Sequence, residues 1–384
     1  MNLRPSRITF LAGPIGTALA VLAAAPAHAA SEPAGGAATA DIVIATLGAV
    51  VLTTVLLALG MAHRAGRVKV LGQVAKWTED KTGLPAWAAL PSVISSVALL
   101  VALLGMYWDI SLHIDQGRDA GPLANPAHYL ILAGLFGIFV SGFLAIVLPT
   151  ERPGRSAVRI TRTWHAPIGG VLLFACGAFS LSGFPLDDFW HRLFGQDVTL
   201  WGPTHLMLIG GAAMTLVGRS VLLVEGARVA RETHGSASKT LLPSVLRFQR
   251  AALVGAFLIG LSAFQAEFDF GIPQFDQLFQ PMLVMVAAST ALVASRLWAG
   301  PGGALIAVAL FLAVRGTVSL LVGPVFGETM PHFPLYVVEA GLVELVAMRG
   351  LVNRPLAFGA AAGALIGTIG LAAEWGWSPR SWAV

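Results

Sequence analysis

Residues 88–108 read AALPSVISSVALLVALLGMYW, without one charged side chain. An α-helix rises about 1.5 Å per residue, so about 20 such residues cross the roughly 30 Å hydrocarbon core of a bilayer. This stretch has the length and character of a membrane-crossing helix. The same pattern recurs along the chain. Spans are expected near residues 42–59, 88–108, 128–148, 168–182 and 205–224, and again near 251–264, 281–296, 304–322, 335–348 and 356–373. The fold class is all-α: a polytopic membrane helix bundle of about ten transmembrane helices, built from duplicated helix hairpins.

Composition agrees. Of 384 residues, 56% are hydrophobic and only 11% charged, where soluble domains carry about 25% charged residues. Most side chains therefore face lipid or one another. The net charge of +4 does not point to nucleic acid, because basic residues of membrane proteins collect in cytoplasmic loops. Cys176 is the single cysteine, which excludes a disulfide framework and a thiolate metal cluster. No glycine-rich phosphate loop is present.

The first thirty residues have the form of a secretory signal: Arg4 and Arg7, an apolar run, then Ala27-His28-Ala29 as a small-x-small cleavage pattern. The expected organisation is a signal peptide at 1–30, a linker at 31–41 and a transmembrane domain at 42–384; an uncleaved first helix is the rival reading. Basic residues cluster in alternate loops, among them Arg64, Arg67, Lys69, Arg152, Arg155, Arg228, Arg231, Arg349 and Arg354. By the positive-inside rule these loops are cytoplasmic. The expectation is a bacterial-type inner membrane protein with both termini extracytoplasmic after signal cleavage.

Two of the opposite loops carry chemistry, at residues 107–130 and 185–207. One contains WDISLHIDQGRDAGPLANPAHYLIL and the other LDDFWHRLFGQDVTLWGPTHLMLIG. Asp109 aligns with Asp187, His113 with His191 and Asp119 with Asp197. After a one-residue gap, Pro126 aligns with Pro203 and His128 with His205. A third loop, QAEFDFGIPQFDQLFQPMLV, has a similar form without histidine. The pattern reads as an internal repeat.

Asp109 and His113 are four apart, so a helix puts them on one face. Asn125 suits a helix N-cap and Pro126 the first helical residue, which sets His128 in the first turn of the returning helix. In the second copy Pro185 is expected to start a short helix carrying Asp187 and His191, and Pro203 to open the next span two residues before His205. Each loop then offers one carboxylate and two imidazoles, a set that suits copper, zinc or non-haem iron with open positions. Asp119 and Asp197 are candidates to orient a histidine ring from behind. Asp115 and Asp188 read as solvated loop charges. A single Asp/His pair at a membrane interface reads as a salt bridge or a cap; two sets at matched spacing point to metal.

The segment DDFWHRLFGQDVTLWGPTH, residues 187–205, resembles the copper-site segment of a membrane subunit in the particulate methane monooxygenase and ammonia monooxygenase family. The resemblance implies copper ligation by Asp187, His191 and His205, with Trp190 and Asp197 at neighbouring positions. The first copy matches through Asp109, His113, His128 and Asp119 but has no tryptophan before its first histidine. The resemblance is confined to these motifs. The chain differs from the family pattern in a longer spacing to the second histidine, in more spans, and in two sites rather than one.

Three functions compete. One is a copper-dependent membrane oxidoreductase subunit, with other oxidoreductase subunits or a second copy of the chain as partners in the lipid bilayer. Another is a non-catalytic copper or zinc handling or transport protein, although soft Met and Cys ligands are few. The last is a haem or quinone protein. Elsewhere, Glu339 and Glu344 fall within one expected span and Arg315 within its neighbour, and charges at that depth are functional candidates. The plainer expectation is that Arg315 pairs with one of these glutamates. Glu328 and His332 are also four apart, but Pro331 argues against helix there.

Overall fold

The computed structural model describes residues 39–117, 123–194, 200–234, 242–271 and 279–377. The signal peptide, most of the linker, Asp119 and Asp197 lie outside the described residues. The elements are α1 (Thr39–Arg64), α2 (Val70–Thr82), α3 (Ala86–Gln116), α4 (Pro126–Val147), a ribbon of β1 (Val158–Arg159) and β2 (His165–Ala166), α5 (Ile168–Phe194), α6 (Pro203–His234) and α7 (Leu242–Ser262). After a 3₁₀ turn (Ala263–Gln265) come a short α8 (Ala266–Asp269), α9 (Phe279–Ala299), α10 (Gly303–Leu320) with a π-helical end (Leu321–Val325), and α11 (Val337–Met348). The chain closes with α12 (Pro355–Leu365), a π-helical turn (Ile366–Gly370) and α13 (Leu371–Trp377).

Among the described residues, nine helices are long and apolar enough to cross a membrane. The protein is an all-α multi-pass membrane bundle. The expected span at 335–348 is α11, a helix of 12 residues and about 18 Å, too short to cross alone. The residues before it run outside helical structure, where Pro331 and Pro334 have no N–H to give a helix. Irregular backbone at this position needs partners within the protein, and it has them. The His332 N–H donates to the Asp269 carbonyl at 2.7 Å. The Ser319 hydroxyl donates to the Pro331 carbonyl at 2.7 Å, and Glu374 accepts from the N–H groups of Leu335 and Tyr336.

α5 also departs from expectation. It is one helix through Phe194 with Pro185 inside it, not a span followed by a new short helix. A proline removes one backbone bond, and packing on either side carries the helix past it.

α3, α4, α5 and α6 pack in sequence as neighbours around Leu135, Ile138, Leu173 and Leu222. Lipid gives apolar helices no hydrophobic reason to associate, so close backbone approach at small residues has to serve. A methyl group on Gly142 would stand 2.4 Å from Phe174 Cα, one on Gly169 2.2 Å from Leu222 N, and one on Gly218 2.6 Å from Leu173 N. The second half gathers α7, α9, α10, α11 and α12 around Phe311, Tyr336 and Phe358.

The halves are joined by buried charge. Arg315 on α10 pairs with Asp269 at 2.6 Å, each side chain 1% exposed. Tyr107 of α3 donates to Asp269 at 3.1 Å, Gln265 donates to it at 2.7 Å, and the guanidinium lies 3.5 Å from the Tyr107 ring centroid. This corrects the expected Arg315–glutamate pair. Glu344 pairs instead with Arg296 at 2.8 Å and accepts from the N–H groups of Gly302 and Ala304. Glu339 is wholly buried and bonded to neither arginine.

Removing one partner of a buried pair strands the other. Arg315→Met or Asp269→Leu alone is expected to cost about 3–5 kcal/mol, and the double variant clearly less than the sum. Thermal unfolding of the detergent-solubilised variants checks this.

Candidate metal centre

Both motif sets converge at helix ends. The Asn125 side chain accepts from the Ala127 N–H at 2.9 Å and caps α4, with Pro126 as its first residue. That cap sets His128 one turn from the end of α3, where Asp109 and His113 share a face. His128 Nε2 lies 3.0 Å and His113 Nε2 3.5 Å from Asp109 Oδ1. In the second hairpin His205 Nε2 lies 3.3 Å and His191 Nε2 3.8 Å from Asp187 Oδ1. Within each triad one ligand atom per residue falls within 4.8 Å of the others.

These separations suit a shared ion. Donors about 2.0–2.2 Å from a tetrahedral ion stand roughly 3.3–3.6 Å from one another. The carboxylate-to-imidazole distances of both triads are close to that spacing before any adjustment. The six side chains are 11–22% exposed, reachable yet shielded from bulk water.

The carboxylate oxygen that faces the imidazoles in each triad also accepts from a neighbouring side chain. Asn125 Nδ2 donates to Asp109 Oδ1 at 2.6 Å, and the Thr204 hydroxyl donates to Asp187 Oδ1 at 2.5 Å. His113 Nδ1 lies 3.0 Å from the Gly117 carbonyl. A carbonyl only accepts, so Nδ1 carries the proton of this bond, which leaves Nε2, the nitrogen facing Asp109, as the atom that would ligate. The residues present therefore fit a first-row divalent ion: two imidazoles, one oriented carboxylate, and room for further ligands.

The two triads open into one cavity of about 560 Å³ lined by Asp109, His113, His128, Asp187, His191 and His205. His128 packs edge-on to Phe184 of α5, ring centroids 5.7 Å apart, which ties the first triad to the second hairpin. Beyond the triads the wall is mostly aliphatic.

The structure thus brings together all six expected ligands. Asp115 is exposed, as expected, but it lies in the last turn of α3 and accepts from the Thr329 N–H and hydroxyl at 2.6 and 2.5 Å. Asp188 lies within α5, partly buried, and pairs with Arg192 at 2.8 Å. Gln116 donates to Glu328 at 3.2 Å, so Glu328 braces α3 from the loop and forms no helical pair with His332. Sequence reasoning misses Thr204 and the second role of Asn125. The signal is available in both: a hydrogen-bonding side chain beside the proline that opens the returning helix. It also misses Arg219 and Glu267, which line the cavity; Glu267 accepts from the Leu200 N–H.

Compared with known proteins, the chain matches no family model, no curated protein and no solved structure.

Asn125→Ala and Thr204→Val remove the groups that orient the carboxylates. Each is expected to weaken metal binding at its own triad by about 10–100-fold and to leave the other triad unchanged. Chelator competition titrations on the single variants measure this.

Proposed function

We propose that this protein is a membrane metal protein that holds copper at Asp109/His113/His128 and Asp187/His191/His205 and serves as one component of a membrane oxidoreductase. The observation that carries the reading is the convergence of two separate Asp/His/His sets on the wall of one largely apolar cavity. Zinc or non-haem iron would fit the same donors; the likeness of residues 187–205 to the copper segment of the methane and ammonia monooxygenase family favours copper. Bound there, the metal supplies Lewis-acid and redox chemistry. The protein's own part is to fix the imidazoles and carboxylates, limit water, and shape an apolar approach for the molecule to be oxidised.

The lining supports a fixed centre over a carrier. A route for ions across the bilayer needs polar groups along its length, and beyond the triads the cavity wall is mostly aliphatic. We place the triads on the extracytoplasmic side of a bacterial-type inner membrane, because the arginine-rich loops lie at the opposite helix ends.

The test is metal analysis of the purified protein beside His113→Ala/His128→Ala and His191→Ala/His205→Ala, with electron paramagnetic resonance of Cu(II). The parent is expected to hold copper at both triads, and each double variant is expected to lose one site's signal and keep the other. A parent that takes up no transition metal after copper loading would sink the reading.

A further inference from the structure

The cavity continues well past the triads. On α6 its wall runs from His205 through Leu208, Ala212 and Leu216 to Arg219, positions three or four apart that form one helix face. His205 and Arg219 are separated by about 21 Å of helix. Arg219 is 3% exposed and lies near the middle of the candidate span Pro203–Thr233.

Its surroundings do not neutralise it. Nη2 donates to the Gln249 side-chain oxygen at 2.9 Å, a neutral acceptor. Nε is buried without a partner, and no carboxylate among the described residues bonds to the group. A guanidinium does not lose its proton in a protein, and an uncompensated charge at bilayer depth is costly. Arg315 and Arg296, by contrast, each have an acid. The carboxylates on the cavity wall, Asp109, Asp187 and Glu267, are engaged at its other end.

We propose that the cavity binds a single-chain anionic amphiphile, with its carboxylate or phosphate head on Arg219 and its hydrocarbon tail along the aliphatic wall toward the triads. A guanidinium, as a planar set of N–H donors with a fixed charge, suits the two oxygens of such a head. A volume of about 560 Å³ lies within the range of small-molecule sites. The anion site stands on Arg219 alone; only the placing of the tail's end beside a metal rests on the function proposed above.

The test measures binding of radiolabelled dodecanoate to the protein in phosphatidylcholine nanodiscs. Competition with dodecyl phosphate and dodecanol ranks the head groups, and the better of the two acids identifies the head as carboxylate or phosphate. One saturable site is expected, with dodecanol weaker than the better acid by at least about tenfold. Arg219→Gln is expected to weaken dodecanoate by a similar factor while metal content stays at the parent's level. Ala212→Phe keeps the guanidinium but fills the tail's path, and is expected to abolish binding. Binding is expected to survive His191→Ala/His205→Ala, which separates this site from the fate of the metal reading. Equal competition by dodecanol overturns the proposal, as does parental binding in Arg219→Gln. Should Arg219→Gln fail to fold, parental binding in Ala212→Phe overturns it instead.

Discussion

A charge inside a hydrocarbon layer has no water to neutralise it, so its opposite must come from the protein itself. The Arg315–Asp269 pair meets that demand and, in doing so, decides how the chain closes. Asp269 sits on the short helix after α7, Arg315 on α10 and Tyr107 on α3. One neutralised charge thus pins three separate segments at one depth. The same aspartate supplies its backbone carbonyl to His332, so the irregular run before α11 is anchored at the same point. Tyr107 lies two residues before Asp109, and the first triad inherits its position from this junction.

Much of this was legible from hydropathy alone, because a helix that crosses lipid must be apolar for its full length whatever surrounds it. The triads were legible too: the i, i+4 pairs and the prolines at 126 and 203 fix side-chain direction locally. What hydropathy lacks is azimuth. It says that Arg315 is buried but not which neighbour its side chain faces, and the partner, Asp269, lies in the third polar segment, the one without histidine. Arg219 was hidden for the same reason, since nothing in its own span reveals that the facing wall is aliphatic. α11 failed as a span because mean apolarity cannot tell a helix from a buried loop that finds its hydrogen bonds elsewhere.

The two triads are alike in plan and different in support. The first carboxylate is held by a side-chain amide that also caps a helix, so its position is tied to the geometry of that helix start. The second is held by a hydroxyl already inside the first turn. The spacings differ accordingly, 3.0 and 3.5 Å against 3.3 and 3.8 Å. Two centres built to one plan need not have equal affinity or equal redox character, because the groups behind the ligands set both.

The glycine contacts between α4, α5 and α6 bear on how this protein can change over time. With backbones already touching at Gly142, Gly169 and Gly218, these helices have no slack to draw closer, and a larger residue at any of the three would force them apart. The part of the cavity wall that α4, α5 and α6 supply is therefore firmly set. New preferences can arise there by exchanging single side chains, such as Ala212 or Leu208, without re-laying the bundle. The scaffold resists variation at its seams and leaves it open along the lining, which lets one architecture be retuned to molecules of different length and girth.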